Sequence, residues 1–143
     1  MIYTDLTKKA ICISFEAHKR QIDKGGMPYV YHPYHLAEQM DDEYSVCVAL
    51  LHDVVEDTSI KLSDLRKYGF PNAVIEAVGA MTHADGVPYM EYVAGIKKNP
   101  IARKVKLADL RHNSDLSRLS AIDEKTAARI EKYRKAIDFL SED

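Results

Sequence analysis

At 143 residues the chain has the length of one ordinary domain, so a single domain over residues 1–143 with one hydrophobic core is the expectation. Hydrophobic residues at 46% and charged residues at 29% make a globular balance and exclude a disordered or fibrous chain. A formal charge of −2 removes any general drive toward nucleic acid or an anionic membrane, so attraction for an anionic small molecule must be local.

In chain order, Thr4 or Asp5 can cap a first helix whose apolar positions Leu6, Ala10, Ile13 and Ala17 recur at helical spacing. That helix is expected to run to about Asp23 and stop at Gly25-Gly26, a pair suited to positive φ. Met27 to Pro33 reads as an extended connector placing His32 immediately before a helix that Pro33 can open and that continues through Met40. A third helix fits Glu43 to about Glu56 and is broken by Asp57-Thr58-Ser59. Short helices fit Leu62–Tyr68, closed by Gly69, and Asn72–Met81, opened after Pro71. Pro88 can begin another helix, to about Lys98, and Asn99-Pro100 makes a break. Ile101 to about Leu116 and Asp123 to Leu140 complete the set. No segment alternates with period two, so the expected fold class is all-α.

Cys12 and Cys47 lie in apolar helical context without metal-like spacing and read as reduced core residues of a cytoplasmic protein. The N-terminus lacks the basic and apolar regions of a signal peptide. No apolar run approaches the roughly 20 residues that span a bilayer.

The densest ionisable cluster is His52-Asp53-Val54-Val55-Glu56-Asp57. On a continuous helix His52 and Glu56 share a face, as do Asp53 and Asp57. Burying four such groups without a cation is costly, and a divalent metal both offsets that cost and takes these ligand types. Two further contributors are His32, on its turn, and Asp109, with Asn113 one turn beyond it on the same face. His32, His52, Asp53 and Asp109 are therefore the candidate metal ligands. Two histidines and two carboxylates leave positions open for water or phosphate oxygens, as a hydrolytic site requires. Glu56 and Asp57 are then placed to orient that water and move its proton. Taken singly, each residue has a plainer reading: a His-Asp pair on a helix is commonly solvated, Glu56-Asp57 could simply end the helix, and Asp109 could be a surface residue. Their order and spacing together favour the site. His18, His35, His83 and His112 read as packed, hydrogen-bonded histidines.

These segments resemble the hydrolase domain of the RelA/SpoT-type alarmone enzymes, especially the stand-alone small alarmone hydrolases. The resemblance lies in Ala17-His18 through Gln21, Lys24, Pro28-Tyr29 to His32-Pro33, Ala49 to Thr58, and Val105 to Asn113. The run Leu-Leu-His-Asp-Val-Val-Glu-Asp-Thr is its most specific part. The resemblance implies an all-helical HD fold, a manganese ion on the same four side chains, and removal of the 3′-pyrophosphate from a guanosine tetra- or pentaphosphate alarmone. It places the catalytic carboxylates on Glu56 and Asp57, a basic residue near the nucleotide on Lys24, and a polar pocket residue on Asn113. Three positions depart from the family. Asp23 stands where arginine is usual, which changes charge and reach. Arg20 replaces a glycine and could restore a positive charge from a neighbouring position, and Asp115 and Leu116 replace basic and hydroxyl residues. The metal centre thus looks intact while the nucleotide pocket looks altered. The length leaves no room for the family's synthetase domain, so hydrolysis without synthesis is the expectation. The remaining alternatives are an HD-type enzyme for another nucleotide or phosphoester, and a nucleotide-binding regulator without turnover. Neither a nucleic-acid nor a membrane partner is expected, and a homo-oligomer is left open.

Overall fold

In the computed structural model, which describes residues 1–119 and 121–143, six consecutive residues from Val46 to Leu51 are each no more than 1% exposed. They belong to a helix, α3, over Glu43–Leu51. A helix apolar on every face must be surrounded, and this one is the axis of the molecule. Around it pack α1 (Asp5–His18), α2 (Tyr31–Glu38), α6 (Asn72–Met81) and α8 (Pro100–Asn113). A second layer joins α7 (Tyr89–Lys97) and α9 (Glu124–Ser141) to α8, while α5 (Leu62–Lys67) leans on α6. One cluster of buried apolar residues extends from Ala10 to Leu140. No described helix is long and apolar enough to cross a membrane.

The helix starts follow local chemistry. Thr4 caps α1: its hydroxyl accepts from Thr7 N, and the Thr7 hydroxyl accepts from Thr4 N. Asp42, Asn99 and Asp123 cap α3, α8 and α9 by accepting from the backbone three residues on. Pro100 occupies the first turn of α8, where its missing N–H costs nothing.

Four expected helix bounds are corrected, and so is the place of one cysteine. The first helix ends at His18, five residues before Asp23, because the chain turns back on itself through an isolated antiparallel bridge between Ile22 and Pro28. The connector before His32 is shorter than expected: α2 begins at Tyr31, so His32 is already inside its first turn. The helix expected over Glu43 to Glu56 is two helices, α3 and then α4 (Val54–Asp57), separated by a turn at His52-Asp53. The helix expected to reach Leu116 stops at Asn113, and a short 3-10 turn follows at Leu116–Arg118, capped by Asp115. Cys47 is buried as expected, whereas Cys12 is exposed on the outer face of α1.

Candidate metal centre

In an uninterrupted helix, adjacent side chains point about 100° apart. The break after Leu51 removes that constraint. Asp53 sits at φ −101°, ψ −5°, in the sparsely populated bridge region, and its carboxylate swings beside His52. The two neighbours then converge, with His52 Nε2 3.0 Å from Asp53 Oδ2. From α8, Asp109 Oδ1 reaches within 3.5 Å of the same nitrogen and 2.8 Å of His32 Nε2. Ligating atoms of His32, His52 and Asp109 all lie within 4.8 Å of one another, and the three residues are buried. Three of the sequence-predicted ligands, His32, His52 and Asp109, are thus gathered from α2, the α3–α4 turn and α8, and Asp53 joins them through its contact with His52.

The donor set fits a divalent cation. His52 Nδ1 donates to the Ala49 carbonyl at 2.7 Å, which leaves Nε2 facing the carboxylates. That buried Nε2 has no hydrogen-bond partner of proper geometry despite its short distances. Burial disfavours charge on the His52 ring, yet the carboxylates of Asp53 and Asp109 outweigh it and raise the imidazole well above its ordinary range. Asp109 likewise stays well below the carboxylate range: burial works against the anion, but Lys106 and the two histidines more than offset it. The cluster attracts positive charge at its centre, which is what a metal supplies.

Surrounding groups hold the candidate ligands. Lys106 Nζ lies 2.9 Å from Asp109 Oδ2, and Asn113 Nδ2 donates to Asp109 Oδ1 at 3.1 Å. The Tyr29 hydroxyl donates to Asp53 Oδ2, and its ring packs between His18 and His32. His18 is buried with Nδ1 bonded to Gln21, as a packed histidine should be. His83 also reads as packed, its Nε2 2.6 Å from the Val87 carbonyl oxygen. His112 is packed and hydrogen-bonded too, but its partner is a candidate ligand, its Nδ1 lying 2.7 Å from Nδ1 of His32. Tyr29, Lys106 and His112 were assigned no role from sequence. Lys106 was the most discoverable, one helical turn before Asp109.

Glu56 and Asp57 follow on α4. Glu56 lines a cavity of about 140 Å³ together with Asp109, Asn113, Lys106 and Tyr92, and its Oε1 accepts from His83 N. Asp57 is pushed up to about 6, first by burial and then by the charges of Asp53 and Glu56.

A second cavity of about 290 Å³ is lined by Lys24, Tyr29, Asn113, Arg118, Arg129 and Tyr133, among others. Tyr29 and Asn113 thus touch both this cavity and the candidate ligands. The unexpected Asp23 belongs to the wall. Its Oδ1 accepts from Gly25 N and Met27 N, and its Oδ2 meets Arg118 Nη2 at 3.0 Å. A carboxylate at position 23 therefore draws a guanidinium from the 3-10 turn to the same wall. Arg20 is exposed just beyond α1 and does not line this cavity.

No family model matches the chain. It is 34% identical over 119 residues to a Streptomyces coelicolor protein named GTP pyrophosphokinase, a match covering 74% of this chain and 14% of that protein. It is 29% identical over 143 residues to a Synechocystis protein named as a probable guanosine-3′,5′-bis(diphosphate) 3′-pyrophosphohydrolase, covering 90% of this chain and 19% of the relative. The chain therefore spans only a small part of the length of these relatives. A solved structure, described as a metazoan ortholog of SpoT that hydrolyzes ppGpp, superposes with a TM-score of 0.77 over 99% of this chain and 88% of that one, at 24% identity. That likeness establishes the fold.

Proposed function

We propose that this chain, an HD-type helical bundle of the RelA/SpoT hydrolase kind, is a metal-dependent phosphohydrolase that removes the 3′-pyrophosphate from a (p)ppGpp-like nucleotide. The observation carrying the proposal is the convergence of His32, His52, Asp53 and Asp109 around a buried, unpartnered His52 Nε2. A divalent ion on these four side chains, with manganese as our choice, would acidify water and polarise the phosphoryl group. The names of the relatives include both a kinase and a hydrolase. A hydrolytic reading accounts for carboxylates at Glu56 and Asp57 beside that group, where a water can lose its proton.

In this reaction the water oxygen bonds to the phosphorus attached to O3′, the P–O3′ bond breaks, and O3′ leaves with a proton. Glu56 and Asp57 carry the protons. Lys24 and Asn113 face the cavity beside the cluster and bind the nucleotide, with Arg118 supplying a guanidinium at the wall. Arg20 has no contact that supports a direct role. Two unpaired cysteines suit a cytoplasmic setting.

The test is incubation of metal-stripped protein plus Mn²⁺ with guanosine and adenosine 3′-pyrophosphates and ordinary mononucleotides, followed by identification of the released phosphorus species. Pyrophosphate from a 3′ position is expected. Orthophosphate release, or no turnover of any 3′-pyrophosphate, would overturn the substrate assignment.

A further inference from the structure

His32 is gripped at both ring nitrogens by one helix. Its Nε2 lies 2.8 Å from Asp109 Oδ1, and its Nδ1 lies 2.7 Å from His112 Nδ1. Asp109 and His112 are three residues apart on α8 and share a face. The His112 ring lies parallel to His32, at 5° between planes and 4.9 Å between centroids, and His35 packs on it at 4.2 Å. Its backbone carbonyl accepts from Arg118 Nη1 at 2.7 Å.

A neutral imidazole has one N–H and one lone pair, so two arrangements are open, the first hydrogen-bonded at both contacts and the second satisfied at the Asp109 contact only with a cation between His32 Nε2 and Asp109 Oδ1. In one, His32 Nε2–H donates to Asp109 and His112 Nδ1–H donates to His32. In the other, His32 Nδ1–H donates to His112, and His32 Nε2 presents its lone pair to the cluster. Only the second makes His32 a metal ligand. For His52 the same choice is made by the Ala49 carbonyl, which can only accept. His32 lacks such a carbonyl partner, and its tautomer is set by a side chain that can accept or donate.

We infer that His112 is a positioning residue of the metal centre, whose Nδ1 lone pair accepts the Nδ1–H of His32 and so turns His32 Nε2 into a ligand. The inference rests on reading the cluster as a metal centre. Partners of this kind fix ring orientation and tautomer, and their loss typically weakens metal binding about 10–100-fold. Asp109 and His112 then act together: one shares the centre with His32, and the other selects the form of His32 that can join it.

The experiment is titration of metal-free protein with Mn²⁺ by calorimetry, and with Co²⁺ by visible absorption, in wild type, His112→Phe and His112→Asn. His112→Phe keeps an aromatic ring against His32 and His35 but cannot accept, and is expected to weaken Mn²⁺ binding about 10–100-fold and alter the Co²⁺ spectrum. His112→Asn places an amide oxygen near the lost Nδ1 and is expected to restore most of the affinity and the wild-type spectrum. A purely packing role predicts the reverse order, and that result, or three equal affinities, overturns the inference. Nitrogen-15 spectra of Zn²⁺-loaded wild type provide a check that needs no variant. His32 protonated at Nδ1 beside an unprotonated His112 Nδ1 is expected, and the opposite assignment overturns the inference. Wild type that binds no divalent ion would instead overturn the metal-centre reading, and this inference with it.

Discussion

His52 and Asp53 meet at one point only because the helix lets go between them, and each residue of the site has a separable task. Asp53 belongs to the proposed donor set, so Asp53→Asn is expected to abolish tight Mn²⁺ binding. In the proposed reaction Glu56 carries protons, so Glu56→Gln is expected to keep the ion and lose about 10²–10⁴-fold in turnover, measured as pyrophosphate release alongside a metal titration. Full activity in Glu56→Gln would contradict its role. Asp57 predicts a pH effect in the metal-free protein. Its folded value of about 6 lies above the ordinary carboxylate value of about 4, so the native state holds its proton longer than the unfolded chain. Stability from this group is present below about pH 4 and is lost as pH rises through about 6. Thermal midpoints of metal-free Asp57→Asn and wild type should therefore agree near pH 4 and separate above pH 6, with the variant the more stable. A gap that does not change with pH would contradict the account. The candidate ligands were legible because histidines and carboxylates stood out at particular spacings in apolar helices. The groups that hold them were less so: the partner of His32 is 80 residues away, and Tyr29 gives no local sign that its hydroxyl reaches Asp53.

At the level of elements, apolar periodicity located the helices, and the ends of α6 at Asn72 and Met81 agree with the reading from sequence. The break at Asp57-Thr58-Ser59 was legible, and the one before it was not. His52-Asp53 carries no breaker residue, and its turn is imposed by the tertiary contacts of the Asp53 carboxylate. The end of α1 was hidden for a similar reason, since Asp23 closes the following loop through Gly25 N and Met27 N. The Gly25-Gly26 pair was noticed, but its two members do different things. Gly26 adopts φ +84°, a left-handed conformation. Gly25 instead makes a close approach, and a Cβ there would lie 2.2 Å from the Arg118 carbonyl oxygen. Gly25→Ala is thus expected to push the loop off the 3-10 turn at a cost of about 1–3 kcal/mol. Because these two segments wall the larger cavity, nucleotide KM should rise while Mn²⁺ affinity stays as in wild type. Equal KM values would show that the wall does not contribute to binding.

Across the whole molecule, the buried α3 carries the turn of the candidate metal centre at its end, with α2 and α8 packed against it. A metal held there joins the α3–α4 turn to two neighbouring helices, so occupancy and global stability are linked. At a hundredfold excess over Kd an ion bound only by the native state adds about 2.7 kcal/mol. Overall charge said little of the local field, where Lys24, Arg118 and Arg129 line one cavity and the carboxylates of Asp53, Asp57 and Asp109 gather in another region. The most direct measurement is a titration of metal-free protein with Mn²⁺, reading bound ion and pyrophosphate release from a guanosine 3′-pyrophosphate in the same samples, for wild type and Asp109→Asn. Both signals should rise together to one ion per chain in wild type and be absent in Asp109→Asn. Pyrophosphate release without bound ion, or an Asp109→Asn protein that behaves as wild type, would contradict the assignment of a metal-dependent hydrolase.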